Sequence, residues 1–520
     1  MRVLTAVALA LGLAAAAAGV EPANHGWFRT GAWSEVVPPG PGEWRLTAGR
    51  FGIDGCRGFL FQPGLAGADA VLEDAAGGRR EPVTGLTAAG PGDRLVLWVG
   101  RGVADPGVQV FTIGPFRALV APDGLPAGGP VLDPVDIIVF EEYPAGLGVP
   151  AMRAGLDAWL GAGGTVVITA RELIGRRVDD YFAPYFAAGA GRAAAELLGR
   201  LRAENAVIAA EEICVIPVGA GRLVLFASDR REMGAAAWFS GRPRAWERIM
   251  ELSSRPAFPA EAARADIARR IDRLVPMPAA VYAVRGGGTA GIAFTAAVLL
   301  LIVTTRGHIR RAALCAAGLC AALAIGLVFR PVPFAAGAVT IERVAPDGTT
   351  AVTTVLLKVG ARRPGIARFA AAGERPLYPF TAGTGRLAVT GTEAGFTYAL
   401  TLPVRGSDLL FYRGAVRLEQ PAVAVPAGAD PAMDAGFLSP SGGWCFDDGT
   451  LWRIPGPGVP RSGWLMEPRP DERTLAELGI LRGLYGFKRC VWSATPMPRP
   501  PVLPAEGHAV AGIALRVRGE

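Results

Sequence analysis

The sequence predicts a multidomain chain of α/β plus β class: an exported open α/β sheet, a two-helix transmembrane hairpin and a C-terminal β-sandwich-like domain. Two apolar segments without an ionisable side chain, 286–305 and 312–329, indicate the hairpin. Short continuous apolar runs between 92 and 278 are typical of strands buried on both faces of a parallel sheet. From 331 onward, short alternating strands favour a sandwich. The 520 residues are enough for about three domains.

Residues 1–20 carry the features of an export signal. Arg2 supplies a positive start, Val3 to Ala18 is an apolar run, and small residues near its end suit signal cleavage. The alternative is an uncleaved membrane anchor. Both interpretations place the chain from Glu21 onward outside the cytoplasm.

Each apolar segment of the hairpin is close to the roughly 20 residues that span a bilayer as a helix. The loop between them, 306–311, contains three Arg, and positive loops are retained in the cytoplasm. We therefore expect a cell-membrane location with the lipid bilayer as a partner, a short cytoplasmic loop, and both large domains extracytoplasmic. The alternative is that the two segments are buried core helices of a soluble domain.

The remaining units follow from local patterns. Residues 21–91 are rich in Gly and Pro with short candidate strands, which predicts a small β-rich unit. Residues 92–278 predict an α/β domain, with helices at 191–203, 244–253 and 259–274. Residues 331–520 predict an extracytoplasmic β-rich domain with one helix near 471–481.

One ordered set of segments carries a family resemblance. Strand 135–140 is followed by a helix ending in Trp159-Leu160, then by Gly163-Gly164 and strand 165–168, and later by Gly219 to Val224. This set resembles the class I glutamine amidotransferase-like fold, in the branch found in bacterial membrane-anchored proteins of unknown function. The resemblance covers about 92–230 and implies a flavodoxin-like sheet.

The catalytic residues of that family do not carry over. The turn after strand 165–169 reads Ala170-Arg171-Glu172, with no Cys or Ser to act as nucleophile. Thiol chemistry also needs a nearby base, and none of the three His residues lies in the α/β domain. Cys214 lies inside a candidate strand and is interpreted as core or disulfide. We therefore expect a pseudo-enzyme with no catalytic residues.

The strand ends offer a candidate ligand site. In open α/β sheets, ligands bind beyond the carboxyl ends of the strands. Those ends present charged residues of both signs, namely Glu141, Glu142, Arg171, Glu172, Asp229 and Arg230. The plainer interpretation is that they are solvated loop residues and helix caps.

Four cysteines fall in the predicted outer parts, where an oxidising environment permits disulfides. Cys445 and Cys490 are the candidate pair, because a bridge there would close the loose, Trp-rich C-terminal end. Cys56 with Cys214 is a second possibility, and spacing alone does not decide. No CxxC or HxxxH occurs, so we expect neither a metal nor a cofactor.

Charge and composition argue against nucleic acid as a partner. The net charge is +7, but the basic residues are spread along the chain instead of being gathered into a patch. We expect a membrane-anchored extracytoplasmic binding or scaffolding protein whose partners are other envelope proteins. The alternatives are an exported hydrolase that uses strand-end carboxylates such as Glu141 and Glu142, and a subunit of an envelope transport or assembly complex.

Overall fold

A computed structural model shows how these segments are arranged. It describes residues 27–29, 32–36, 38–39, 43–54, 59–61, 70–74, 79–90, 93–100, 110–113, 116–121, 132–140, 150–169, 181–182, 196–197, 199, 212–227, 243–252, 258–276, 282–284, 307, 318, 329–331, 334–345, 348, 350–372, 376–381, 383–392, 395–418, 430, 433–497, 507–509 and 512–519.

The predicted fold class is wrong. Within the described ranges the chain is mostly β-sheet, with strands in six sheets, and four α-helices are described along their length. None of the helices in this part of the chain is long and apolar enough to cross a bilayer, which gives the predicted hairpin, and the membrane assignment made from it, no support. The segments 286–305, 306–311 and 312–329 lie outside the described residues apart from Gly307 and Gly318. In the described ranges the apolar residues lie mainly in sheet cores, where strand pairing satisfies the backbone, and this explains the predominance of strands.

Sheet A is a mixed sheet of seven strands. Five central strands are mutually parallel, and one antiparallel strand lies at each edge. In spatial order the strands are β10 (Val110–Ile113), β11 (Phe116–Ala121), β9 (Arg94–Val99), β12 (Ile137–Phe140), β13 (Thr165–Thr169), β15 (Gly221–Ala227) and β14 (Glu212–Val218).

Helices cover both faces of sheet A. Helix α1 (Pro150–Gly161) packs Leu156, Trp159 and Leu160 against one face. Helix α2 (Pro243–Leu252) packs Trp246 and Ile249 against the other. Both faces are apolar because alternate residues of each central strand enter different cores, which is why these strands read as continuous apolar runs.

Sheet B is the largest, with ten strands. Its spatial order is β21 (Tyr378–Pro379), β24 (Ser407–Arg417), β19 (Thr350–Ala361), β18 (Phe334–Val344), β30 (Gly512–Gly519), β28 (Cys490–Met497), β25 (Gly443–Asp447), β26 (Thr450–Ile454) and β27 (Leu465–Met466), with β29 (Gly507–Ala509) also paired to β18. Helices α3 (Glu261–Leu274) and α4 (Glu472–Tyr485) pack together, and Tyr485 and Asp272 tie them to β19.

Sheet C combines strands from two distant parts of the chain. Its order is β20 (Gly365–Ala372), β23 (Gly395–Leu402), β22 (Arg386–Thr392), β4 (Phe51–Asp54), β3 (Trp44–Ala48), β6 (Ala70–Asp74) and β7 (Arg80–Pro82). The join is the parallel pair β4 and β22, in which Ile53 lies opposite Val389. Sheets B and C share one large apolar core.

Three small two-stranded sheets complete the described strands. They are β1 (Trp27–Phe28) with β8 (Thr87–Ala88), β2 (Ser34–Val36) with β5 (Phe59–Phe61), and β16 (Tyr282–Val284) with β17 (Phe329–Pro331). The last pair is antiparallel, with Val284 opposite Phe329.

Buried ion pairs connect the sheets. Arg50, in the turn after β3, binds Asp408 at the start of β24 and also donates to the Thr381 and Gly385 carbonyl oxygens. Arg29 binds the fully buried Asp136, which also accepts from the Leu95 N–H at 2.9 Å. A buried carboxylate is stable only when such partners surround it.

Candidate functional site

The six predicted strand-end residues lie outside the described part of the chain. Glu141 and Glu142 follow β12, Arg171 and Glu172 follow β13, and Asp229 and Arg230 follow β15. The three strands are parallel neighbours, so their carboxyl ends meet at one edge of sheet A. The ligand site at that edge stays a prediction.

The structure does not bring the side chains of Cys445 and Cys490 together, as the predicted disulfide would require. Both thiols are buried and free. The strand register sets Cys445 opposite Val491 and Cys490 opposite Phe446. Residues that are opposite share a face and neighbours alternate, so the two cysteines point to opposite faces of sheet B. They belong to different cores accordingly, and burial raises the pKa of each thiol to about 12.

Cys214 lies in β14 and is half-buried and free. Burial raises the pKa of its thiol, which disfavours the nucleophilic thiolate. Its side chain packs against the core beneath α1. These surroundings are those of a packing residue.

The most distinctive surface in the described residues is at the β27 edge of sheet B. Two large apolar side chains of this short strand are mostly in solvent, Leu465 at 59% and Met466 at 61% exposed. Strand β27 pairs with β26 on one side and is the last strand at this edge of the described sheet. Edge strands of natural proteins usually carry charges or proline, which discourage pairing with other chains. An apolar edge therefore indicates a contact surface.

A pocket of about 310 Å³ adjoins this strand. Its lining is largely apolar and comes from two loops, with Met433, Asp434, Ala435 and Gly436 on one side and Gly458, Val459, Pro460, Arg461 and Trp464 on the other. Trp464 directly precedes Leu465 and is fixed by a hydrogen bond from its Nε1 to the Val459 carbonyl oxygen at 3.0 Å. A buried indole with its N–H satisfied makes a rigid apolar wall.

The pocket and the strand share one face of sheet B. Met466 lies opposite Trp452, and Trp452 lies opposite Cys445, so the three side chains project from the same face. Cys445 and Trp464 belong to the core under the pocket, with half-buried Trp452 packed against it. Leu465 projects from the other face of the same edge strand, opposite Arg453. We call this edge, with Trp452, Leu465, Met466 and the adjoining pocket, the β27 surface.

Ion pairs hold the loops of the pocket in place. Arg461 and Arg489 both bind the buried Asp447, and Arg489 also binds Asp430 at 2.7 Å. The buried Arg518 binds Asp434. Asp447 and Arg518 are buried, and leaving either charge without a partner would be strongly destabilising, so these contacts fix the shape of the pocket.

Three arginines near the β27 surface are exposed. Arg453 lies opposite Leu465 and is exposed, as are Arg461 and Arg469, while Glu467 is half-buried. Pro468 has no N–H and limits further pairing along the edge. The surface thus suits a short segment with an apolar anchor and acidic neighbours.

The sequence patterns indicated no binding site in the Trp-rich C-terminal end and missed this surface. The run Trp464-Leu465-Met466 looks like part of a buried strand, and only the position at a sheet edge exposes Leu465 and Met466. Within the described ranges, no group of three or more His, Cys, Asp and Glu side chains is arranged to hold a metal. Comparison with models of known protein families, with characterised proteins and with solved structures finds no match.

Proposed function

We propose that this protein is a non-catalytic binding or scaffolding protein that holds a short extended segment of a partner protein on the β27 surface. The observation that carries the proposal is the exposed apolar pair Leu465 and Met466 on a sheet edge beside an apolar pocket. Extended segments recognise such edges through backbone pairing, and pockets for side chains give specificity.

The partner that fits is defined by its chemistry. Backbone pairing with β27 extends over few residues, because β27 has two residues and Pro468 follows closely. Most of the affinity must then come from an apolar side chain in the pocket lined by Met433, Val459 and Trp464. Acidic residues beside the anchor complement Arg453 and raise the association rate.

Two sequence predictions belong to this proposal. We assign the binding role to an extracytoplasmic protein, on the basis of the export signal predicted in residues 1–20, so that the partner is another envelope protein. We also assign no chemistry to sheet A, because the resemblance to the amidotransferase-like family lacks the nucleophile and base.

The proposal is tested by site-specific photo-crosslinking in cells that produce the full chain. A photoreactive amino acid at position 466 should give a discrete adduct with one protein. The same amino acid at position 404 is the matched control, because Val404 is 58% exposed. It lies in the loop between β23 and β24, toward the end of sheet B that is opposite to β27. Adducts of equal yield and identity at both positions would argue against a specific surface.

A second measurement decides whether the contact carries affinity. The peptide identified in the adduct should bind the purified full chain, and Leu465→Asp with Met466→Asp should weaken it roughly 30-fold, as expected for loss of about 2 kcal/mol. Val404→Asp should leave the Kd unchanged. Unaltered binding to the double variant would refute the β27 surface as the site.

A further inference from the structure

Three arginines from different strands lie near the place where sheet A contacts sheet B. Arg222 lies near the start of β15, Arg343 near the end of β18, and Arg413 in β24. The turn before β15 touches sheet B: a Cβ added at Gly219 would lie 2.9 Å from the Thr350 Oγ1. Arg222 follows this turn by three residues, and its charge acts on Arg343.

Strand register places Arg343 and Arg413 on one face of sheet B. Arg343 lies opposite Val352 of β19, and Arg413 lies opposite Thr354 of the same strand. Opposite residues share a face, and Val352 and Thr354 are two residues apart, so all four side chains project to the same side. That face also receives Tyr485, the last residue of α4, whose hydroxyl donates to the Thr354 Oγ1 at 2.8 Å.

Aromatic rings hold the two guanidinium groups in place. The Cζ of Arg343 lies 5.4 Å from the ring centroid of Phe487, and the Cζ of Arg413 lies 5.6 Å from that of Tyr485. Tyr485 and Phe487 stack on each other with centroids 5.1 Å apart. Cation–π contacts position a guanidinium without consuming its N–H donors.

The local electrostatics are strongly positive. Burial, followed by the charge of Arg413, lowers the pKa of Arg343 to about 10, and Arg222 adds to this effect while Tyr485 opposes it. Burial and the charge of Arg248 lower the pKa of Arg222 as well. Arg343 donates to the Gly519 carbonyl oxygen at 3.5 Å, and among described residues neither Arg343 nor Arg413 pairs with a carboxylate.

We propose that Arg222, Arg343 and Arg413 form a binding site for a phosphate-type oxyanion at the junction of sheets A and B. The guanidinium fork matches the geometry of phosphate oxygens, and an oxyanion there would relieve the repulsion between the three positive charges. Because the residues come from both sheets, binding would also strengthen the contact between them. The site is separate from the β27 surface, and neither proposal depends on the other.

The test is thermal unfolding of the purified full chain in sodium phosphate and in sodium chloride of equal ionic strength. Ligand that binds only the folded state raises the Tm by mass action, so phosphate should give a higher Tm than chloride. Arg413→Gln and Arg343→Gln should each abolish most of this phosphate-specific rise. Arg363→Gln, an exposed arginine in the turn between β19 and β20, is the matched control and should retain it.

The Tm values in sodium chloride separate the loss of phosphate binding from an effect of the substitution on folding. In chloride, Arg413→Gln should unfold at the wild-type Tm or above it, because one repelling charge is gone. Arg413→Lys, which keeps the charge but loses the fork, should bind phosphate at least tenfold more weakly. A phosphate-specific rise that persists in both Gln variants, or that is absent from the wild type for every ligand tested, would overturn the proposal.

Three probes distinguish the source of the phosphate group. The Tm of the wild type and of Arg343→Gln is measured with each of three ligands: inorganic phosphate, a nucleoside monophosphate, and vesicles of phosphatidylcholine with phosphatidic acid. A ligand that binds this site raises the Tm of the wild type but not that of Arg343→Gln. A rise with inorganic phosphate alone identifies a free anion. A larger rise with the nucleotide or with the vesicles assigns the site to the phosphate of that larger ligand.

Discussion

Buried carboxylates in this protein accept hydrogen bonds from specific donors, and Glu477 shows that burial still disfavours the ionised form. Its side chain is 2% exposed and accepts from the Trp492 Nε1 and the Arg473 Nε, each at 3.1 Å. Burial still outweighs these bonds and raises the pKa of Glu477 above its ordinary value of 4.5. Desolvation of the charged form is the dominant effect, so the ionised group is less favourable in the folded protein than in the unfolded chain.

The sign of the pH dependence follows. Between pH 4.5 and the raised folded-state pKa, the folded protein binds more protons at Glu477 than the unfolded chain, so this group's contribution to stability falls as pH rises. Glu477→Gln should reduce the pH dependence of the free energy of unfolding across this window, measured by urea denaturation at several pH values. Glu472→Gln, at an exposed position on the same helix, should leave the slope unchanged. An identical slope in wild type and Glu477→Gln would contradict the assignment.

At the scale of elements, the Gly163-Gly164 pair after α1 explains a motif in the sequence. Gly163 has a φ of 112°, in the left-handed region where side chains are disfavoured. A Cβ at Gly164 would lie 2.5 Å from the Trp159 ring, which is fully buried and donates to the Val135 carbonyl oxygen at 3.1 Å. The two glycines let α1 turn directly into β13 with the indole packed across the join.

Gly164→Ala should destabilise the protein by about 1–3 kcal/mol, because the ring and the backbone must move apart in a packed core. The matched control is Gly199→Ala, since a Cβ there meets no atom of the described residues within 4 Å. The free energy of unfolding of both variants is measured in urea. Equal stability of the two variants would show that the Trp159 contact is not tight.

Local signals predicted elements well where the partner is near in sequence. The strand at 165–169 and the helices at 244–253, 259–274 and near 471–481 are present, because their apolar pattern depends only on residues within the same segment. The same signals did not predict which strand lies at an edge, and edge position alone exposes Leu465 and Met466. The predicted strand-end site stays untested.

At the scale of the whole molecule, sheet C depends on contacts between distant segments. The sequence of β4 does not identify β22 as its pairing partner, because period-two alternation fits any neighbouring strand equally well. Local sequence patterns therefore do not predict this pairing. Arg50 reinforces it by binding Asp408, whose side chain is fully buried.

Arg50→Gln should lower the free energy of unfolding by about 3–5 kcal/mol, because it leaves the Asp408 carboxylate buried without its partner. Hydrogen exchange read by mass spectrometry should rise in β22 and β24 as well as in β3 and β4. Arg45→Gln, which removes the exposed pair with Asp54, should change exchange little. Faster exchange confined to residues 43–54 would show that the two segments are not coupled.

The pairing of β4 with β22 also has a consequence for synthesis on the ribosome. Arg50 and its acceptor Gly385 are 335 residues apart. At translation rates of roughly 5–20 residues per second, the first half of sheet C waits about 20–70 s for its second half to emerge. During that interval the apolar strand β4 is an open template for wrong partners. We therefore expect the nascent chain to need a chaperone over this period, and stalling it before β22 should leave it aggregation-prone.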